Sequence, residues 1–342
     1  VSTTVPTIPP PPGPAGAAAR ATKCGATDRL ARFRGRLRLP VIAAPMFLVS
    51  GPDLVLAACR AGIGGAFPAP NARTIEGLET WLQRVSSEHA AMEQAGGVVG
   101  PWALNLVTHS TYDRLGAELD LVDRYRPPLV ITALGSPAPV VERVHAYGGV
   151  VIADVNSIAL ARKAAAVGVD GLALVCAGAG GHTGKIAAFA FVPAVRQFFD
   201  GLLIVGGAIG TGGAVRAAEL LGADLVYAGT PFIAAAESMA SDRYREMVVR
   251  ASLEDLVLTK ALTGADAYYL RESIVAAGLD PDSLVGKTKV DWTNSQGQLK
   301  AWKDVWSAGQ GVECVRAVEP VAGIVERLAA EYAQSLRLPA FG

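Results

Sequence analysis

Along most of the chain, short runs of β-branched and other apolar residues alternate with longer segments whose apolar positions recur at helical spacing. Strands are expected at Val41–Met46, Ile63–Ala69, Trp102–Leu106, Leu129–Leu134, Val150–Val155, Gly171–Ala177, Leu202–Ala208 and Asp224–Thr230. Helices are expected between them, at Pro52–Ala61, Thr74–Ser87, Pro137–Tyr147, Ser157–Val167, Phe191–Phe199 and Gly212–Leu221. Two of these run into Gly-Val-Asp or Gly-Ala-Asp before the next strand, at Gly168–Asp170 and Gly222–Asp224, where glycine suits a left-handed helix stop. Such alternation predicts a parallel sheet covered by helices.

Eight strand–helix units that close on themselves make an α/β fold of the (β/α)8 TIM-barrel type, typically about 250 residues long. The rival is an open doubly wound sheet, which usually carries a Gly-x-Gly-x-x-Gly turn after its first strand. Here that strand is followed by APMFLVSGPD, with no such turn. After the eighth strand the pattern breaks, which predicts a small helical insertion and a return of the chain to the barrel. The implied division is a disordered or surface-draped tail over 1–23, a barrel over 24–234 and 306–342, and an insertion over 235–305 that covers the active site. The arginines of RFRGRLRL (Arg32, Arg34, Arg36, Arg38) alternate at strand period and predict a short capping strand with a solvated face.

Composition narrows the function classes. Apolar residues make up 51% and charged ones 18% of 342, enough for a large core. Every apolar run is interrupted well short of the ~20 residues of a membrane helix, so no membrane span is expected. The 31 basic residues balance 31 acidic ones, and no field for nucleic acid or anionic lipid follows. Cys24, Cys59, Cys176 and Cys314 are widely spaced, which gives neither a zinc motif nor a disulfide framework and makes a cytoplasmic location the default. The first 20 residues lack the basic start and apolar core of a secretory signal. No metal site is expected, because no carboxylate–histidine motif of ligand spacing appears.

The chemistry of a barrel gathers at the C-terminal ends of its strands, and phosphate often binds after strands seven and eight. Strand seven runs into Gly206-Gly207-Ala208-Ile209-Gly210-Thr211-Gly212-Gly213 and strand eight into Gly229-Thr230. Glycines let backbone N–H groups approach an anion, the N-terminus of the next helix adds positive potential, and the Thr230 hydroxyl is a further donor. Turn formation alone would also explain these glycines. After strand six, AGAGGHTGK sets His182 among glycines, where an imidazole titrating near neutrality can exchange a proton with a ligand. A carbonyl-capping loop histidine is the plainer reading. His89 and His145 are expected on solvated helical segments, and His109 has no supporting motif. Asn105, ending strand three, offers a carboxamide to a heterocycle edge.

These motifs resemble the nitronate monooxygenase family, formerly 2-nitropropane dioxygenases, which are FMN-dependent TIM barrels. The resemblance runs from about Leu39 to Leu336: APM at strand one, ALNL at strand three, AGGHTG after strand six, GGAIGTGGAVRAAELLGAD at strand seven, YAGTPF at strand eight and AWKDVWSAGQG after the insertion. It implies FMN across the barrel mouth, with its phosphate at Gly206, Gly207, Gly229 and Thr230. It places Ala44, Pro45, Met46 and Asn105 near the ring and adds Asp154, Cys176, Gly180, Gly181, Ala208 and Ser307 as cofactor contacts. His182 becomes the base, and Trp306, Ser307 and Gly309 line the roof. The chain departs from the family at Pro231 and Ala235, where many members read GTRFIAT. It departs again at Ala153-Asp154, where the best-studied type has His-Lys, and at Cys176, where some relatives carry a flavin-contacting Gln.

The implied activity is oxidation of alkyl nitronates by FMN and O2 to a carbonyl compound and nitrite. One alternative is an NAD(P)H-dependent FMN reductase acting on a quinone or an enoyl thioester, and another is a non-catalytic flavin-binding module. A small-molecule substrate and a homodimer are the expected partners.

Overall fold

A computed structural model describes residues 31, 35–286 and 300–338. The expected tail, Cys24, Arg32, Arg34 and residues 287–299 of the polar stretch 287–304 lie outside the described residues. The barrel strands are β1 (Val41–Ala43), β2 (Gly64–Pro68), β3 (Trp102–Val107), β4 (Leu129–Ala133), β5 (Val150–Val155) and β6 (Gly171–Val175). A two-residue strand, β7 (Gly181–His182), stands outside the barrel, which is completed by β8 (Leu202–Gly206) and β9 (Leu225–Ala228). All eight barrel pairings are parallel, and β9 closes on β1 in the register Val41↔Val226, Ile42↔Tyr227, Ala43↔Ala228. The (β/α)8 expectation is met.

Alternation along each strand divides the core in two. Inward positions form a dry plug that includes Ile42, Ala66, Ala103, Ile131, Ile152, Ala173, Ile204 and Leu225, topped by Tyr227. Outward positions such as Leu104, Val130, Val151, Leu172, Leu203 and Val226 pack beneath the helices. The last helix, Val321–Ser335, occupies the eighth helical position and packs on Gly212–Leu221. A Cβ on Gly212 would lie 2.2 Å from Leu328 O, so that glycine serves helix packing.

The Asp of each Gly-x-Asp stop has a definite task at the N-terminal end of the barrel. Asp224 Oδ2 accepts from Leu203 N (2.8 Å) and Arg196 Nη2 (2.5 Å). Asp170 Oδ2 accepts from Val151 N (2.8 Å) and lies 2.8 Å from His145 Nε2. Each carboxylate thus stitches the start of its own strand to the preceding one. His145 is therefore engaged rather than merely solvated. His89 is buried, with Nε2 2.9 Å from Gly100 O, because its helix runs on to Ala95 and packs it against the β3 entry loop.

Two further expectations change. Residues 35–38 form a turn and bends instead of a capping strand. Leu37 packs against the end of the interior plug, while Arg38 pairs with Glu326 (2.6 Å). The insertion is not wholly helical: after the helix Asp242–Arg250 it forms an antiparallel hairpin, β10 (Leu256–Thr259) and β11 (Ala267–Leu270), followed by the helix Arg271–Ala276. The β-branched and aromatic residues of LVLT and AYYL suit that hairpin. β11 also pairs with β7, in the register Ala267↔His182 and Tyr268↔Gly181.

Removing the Asp224 carboxylate strands the Leu203 N–H and takes the carboxylate partner from Arg196, whose guanidinium keeps the carbonyls of Gly222 and Gly201. Asp224→Ala is expected to cost about 1–3 kcal/mol, the penalty for an unsatisfied buried group. Asp224→Asn should recover part of it. Chemical denaturation of the two variants, read by far-UV circular dichroism, checks this.

Candidate active site

Strand ends, two loops and the insertion meet at the C-terminal mouth. There β1 stops at Ala43 because Pro45 has no N–H to continue the ladder. Ala44 N still donates to Ala228 O (3.0 Å). The loop Ala44–Ser50 is tied down by Asn71, whose Nδ2 donates to Met46 O (3.0 Å) and Ser50 O (2.7 Å) while Oδ1 accepts from Leu48 N (2.8 Å). Asn71 had no sequence signal; only the fold brings it under this loop.

Four non-glycine residues in the left-handed region, Leu48 (φ 61°), Leu134 (φ 64°), Ala208 (φ 58°) and Trp302 (φ 71°), lie on loops at this end or beside His182. Such conformations cost of order 1 kcal/mol each and gather where function fixes the backbone.

The glycines divide into two groups. Gly178 and Gly207 have positive φ (90° and 140°), and a Cβ on Gly180 would sit 2.7 Å from Gly309 N. These let the loops after β6 and β8 and the 307–311 segment pack backbone to backbone. By contrast, a Cβ on Gly206 would meet nothing closer than 3.5 Å, and one on Gly229 only the Met46 sulfur at 3.4 Å. Neither has positive φ. The protein itself does not need glycine at these two places, whereas a ligand approaching the backbone does.

The seat expected for phosphate is smaller than the sequence implied. The N-terminus of Gly212–Leu221 is already taken: Thr211 Oγ1 accepts from Ala214 N, and Glu331 Oε2 accepts from Gly212 N at 2.7 Å. That helix is thus no anion site. Thr230 is not in the strand but opens the short helix Thr230–Ile233. Its Oγ1 accepts from Gly309 N (2.9 Å) and keeps its own proton to donate.

Asn105 and Asp154 project into the barrel mouth by strand alternation. Asn105 is buried, and its Nδ2 makes a long contact of 3.4 Å to Ile131 O. Asp154 Oδ1 and Tyr227 OH are buried with no hydrogen-bond partner. Burial lifts the Asp154 carboxyl from its usual acidic range to about 7 and raises Tyr227 further, helped by the charge of Asp154. Tyr227 escaped the sequence reading, although an aromatic at an inward strand end was a usable signal. Cys176 falls on an outward position: its Sγ donates to Leu174 O (3.3 Å) within the helix-covered core, so the fold does not bring its side chain to the mouth.

His182 hangs from β7, clamped by β11. Its Nε2 lies 3.2 Å from Thr263 Oγ1, and its ring meets the edge of Trp302 at 5.3 Å. Trp302 in turn stacks on Tyr269 at 5.0 Å. Thr263 and Tyr269 were invisible to sequence reading because they come from a separate stretch of chain, and Trp302, although inside AWKDVWSAGQG, had no role assigned there. Gly181 N donates to Ser307 Oγ (2.7 Å), and Tyr244 OH donates to Ser307 O (2.5 Å). Ser307 therefore braces the His182 loop. Trp306 stacks on Tyr244 at 5.0 Å with Nε1 donating to Lys303 O, which engages it within the insertion. His109 closes a local turn with Thr111 (2.8 Å).

Desolvation lowers His182 to about 4, so the imidazole is neutral near pH 7. Among the described residues no group of three His, Cys, Asp or Glu side chains could hold a metal ion, and no helix is long and apolar enough to cross a membrane.

An eight-stranded α/β barrel with a glycine-lined, polar mouth belongs to the class of ligand-binding barrel enzymes. The chain matches the family description Nitronate monooxygenase over residues 68–331 and belongs to that family. It is thereby an oxidoreductase, and the family is flavin-dependent. A nitronate monooxygenase of Paraburkholderia phytofirmans is 26% identical over 87% of this chain and 93% of its own. A Mycobacterium tuberculosis protein named as a monooxygenase is 32% identical over 167 residues, covering 48% of this chain and 44% of that one. The chain therefore spans less than half the length of that relative. A further M. tuberculosis relative, a hydroxy-methyl-oxo-octahydro-indene-carboxyl-CoA dehydrogenase, is 27% identical over 69% of this chain and 64% of its own. Among solved structures, nitroalkane oxidase from Streptomyces ansochromogenes has a TM-score of 0.71 at 22% identity, covering 90% of this chain and 99% of its own. FabK from Thermotoga maritima has a TM-score of 0.69 at 23% identity, over 91% and 96%. Both share the fold.

Because His182 is depressed relative to the unfolded chain, the native state holds fewer protons between about pH 4 and 6.5. Stability is then expected to fall as pH drops through that window, and His182→Gln should flatten the fall. An NMR titration of the imidazole should find it neutral at pH 6, protonating only near 4.

Proposed function

We propose that this protein uses FMN and O2 to oxidise alkyl nitronates to a carbonyl compound and nitrite. The observation that carries this reading is the meeting, in a chain of this family, of a neutral, half-buried His182 with two glycines that the fold does not itself require. The residues present fit a flavin. Backbone at Gly206, Gly207 and Gly229 and the Thr230 hydroxyl would hold its phosphate. Met46, Asn105, Asp154 and Tyr227 would meet the ring, two of them with buried polar atoms awaiting a partner. When bound, the flavin supplies two-electron redox chemistry and reaction with O2.

The protein's own part is positional and electrostatic. Neutral His182 accepts the α-proton of a nitroalkane or donates its N–H to a nitronate already formed. The Thr263 hydroxyl and the Trp302 edge hold the ring in place. The insertion hairpin, through β11, fixes the backbone that carries it.

A second reading has one observation in its favour: a Mycobacterium tuberculosis relative, 27% identical over 69% of this chain, is named as a dehydrogenase of a carboxyl-CoA thioester. By that likeness the acceptor would be an enoyl thioester or a quinone, reduced through NAD(P)H. Anaerobic mixing separates the two: bleaching of the flavin by a nitronate but not by NADH or NADPH is expected, and the reverse would overturn the first reading.

With neutral nitroalkane, His182→Ala is expected to lower kcat/KM by about 10²–10⁴-fold, the usual range for a lost general base. With preformed nitronate the loss should be smaller, as nitrite release would report. The seat has its own check. Gly206→Ala should leave the melting temperature nearly unchanged while weakening FMN binding at least about tenfold, or ~1.4 kcal/mol. Fluorescence titration of the flavin-free protein measures it.

A further inference from the structure

Asp154 and Tyr227 each bring an unpartnered buried polar atom to the barrel mouth. They end β5 and β9, on nearly opposite sides of the closed ring of strands, and both point inward. Asp154 Oδ1 and Tyr227 OH are each buried without a partner, while the Asp154 residue as a whole keeps some accessible surface. A carboxyl and a phenol near enough to interact electrostatically, both unsatisfied by protein, are costly unless a ligand completes them.

We propose that Asp154 and Tyr227 form a polar socket for the edge of a heteroaromatic ring, and that the ring enters with uptake of one proton onto the Asp154 carboxylate. The ring is identified as a flavin only through the function proposed above, on which this inference rests. The proton comes from solvent: carboxylate plus proton gives the neutral acid, whose O–H donates to an acceptor on the ring edge. Tyr227 OH supplies the second donor.

The surroundings favour the neutral form. Inward positions on the flanking strands are apolar, Ile131 and Ala133 on β4 and Ala173 and Val175 on β6. Across the mouth, β3 offers the uncharged carboxamide of Asn105. The ionisable groups of the mouth are Tyr227, whose interaction with Asp154 is electrostatic, and His182 on β7, which burial keeps neutral. No cation compensates Asp154: burial is the cause that raises its carboxyl to about 7. A ring that covers the mouth removes water still further and strengthens the preference for the neutral acid.

The test uses the full chain freed of flavin and titrated with riboflavin, since the phosphate of FMN has its own titration, with FMN in parallel. Riboflavin affinity is expected to fall about tenfold per pH unit above pH 7, the slope for uptake of one proton. Asp154→Asn should bind with no slope, and Tyr227→Phe should bind more weakly at every pH with the slope kept. The wild-type protein gives a check that needs no variant: calorimetry at pH 8 in two buffers of different ionisation enthalpy should report one proton taken up per riboflavin. Binding without proton uptake, or an Asp154→Asn slope equal to the wild type's, overturns the inference and leaves the flavin reading standing. If neither riboflavin nor FMN binds at any pH, the flavin reading itself falls and this inference with it.

The unloaded protein supplies a separate readout. Asp154 is raised above its unfolded value, so the folded state holds the extra proton between about pH 4 and 7 and stability falls as pH rises through that window. The melting-temperature advantage of Asp154→Asn should therefore grow from pH 4 to 7 and stay level above. No growth would count against the buried, uncompensated carboxyl on which the socket depends.

Discussion

Closure of the parallel ladder between β9 and β1 is the constraint on which everything else depends. Once the ring of strands is complete, its edges are gone and each inward side chain has a fixed height. The interior then fills with Ile, Leu, Val and Ala, which leaves polar groups only at the two ends. At the N-terminal end, Asp170 and Asp224 are consumed in stitching strand starts together. At the other end the inward polar groups are Asn105, Asp154 and Tyr227, and two of these carry buried atoms without partners. The same closure thus separates stability from chemistry along one axis.

Desolvation acts on the mouth with opposite sign for different groups. It pushes the Asp154 carboxyl up to about 7 and His182 down to about 4, in each case favouring the uncharged form. Near neutrality the site therefore holds few net charges. It suits a planar, weakly charged ring better than a highly charged ligand, and any anion must be met by donors such as the Thr230 hydroxyl and backbone amides. The helix after β8 contributes nothing here, because Glu331 from the last helix already answers its N-terminus.

The insertion matters for a different reason. Gly181–His182 is too short to hold itself, and a glycine-rich loop pays heavily in entropy to be ordered. Pairing with β11, the Ser307 hydroxyl on Gly181 N and the Trp302 edge together set where the imidazole sits. His182 owes its position to residues 81 to 126 places further along the chain.

The sequence by itself determined the barrel, because parallel strands buried on both faces leave continuous apolar runs and glycine stops that survive in any reading of pattern. It also placed His182, Asn105 and the two glycine loops at the correct strand ends, since that requires only strand order. Tertiary structure alone decided which glycines serve packing and which leave room for a ligand, because the distinction lies in what another segment places within 3 Å. It brought Asn71, Thr263 and Trp302 to the mouth and left Tyr227 OH without a partner. It also set a hairpin between the helices of the expected helical cover. Each of these depends on contacts between distant stretches of chain, and hydrophobic periodicity, a local property, carries no record of them.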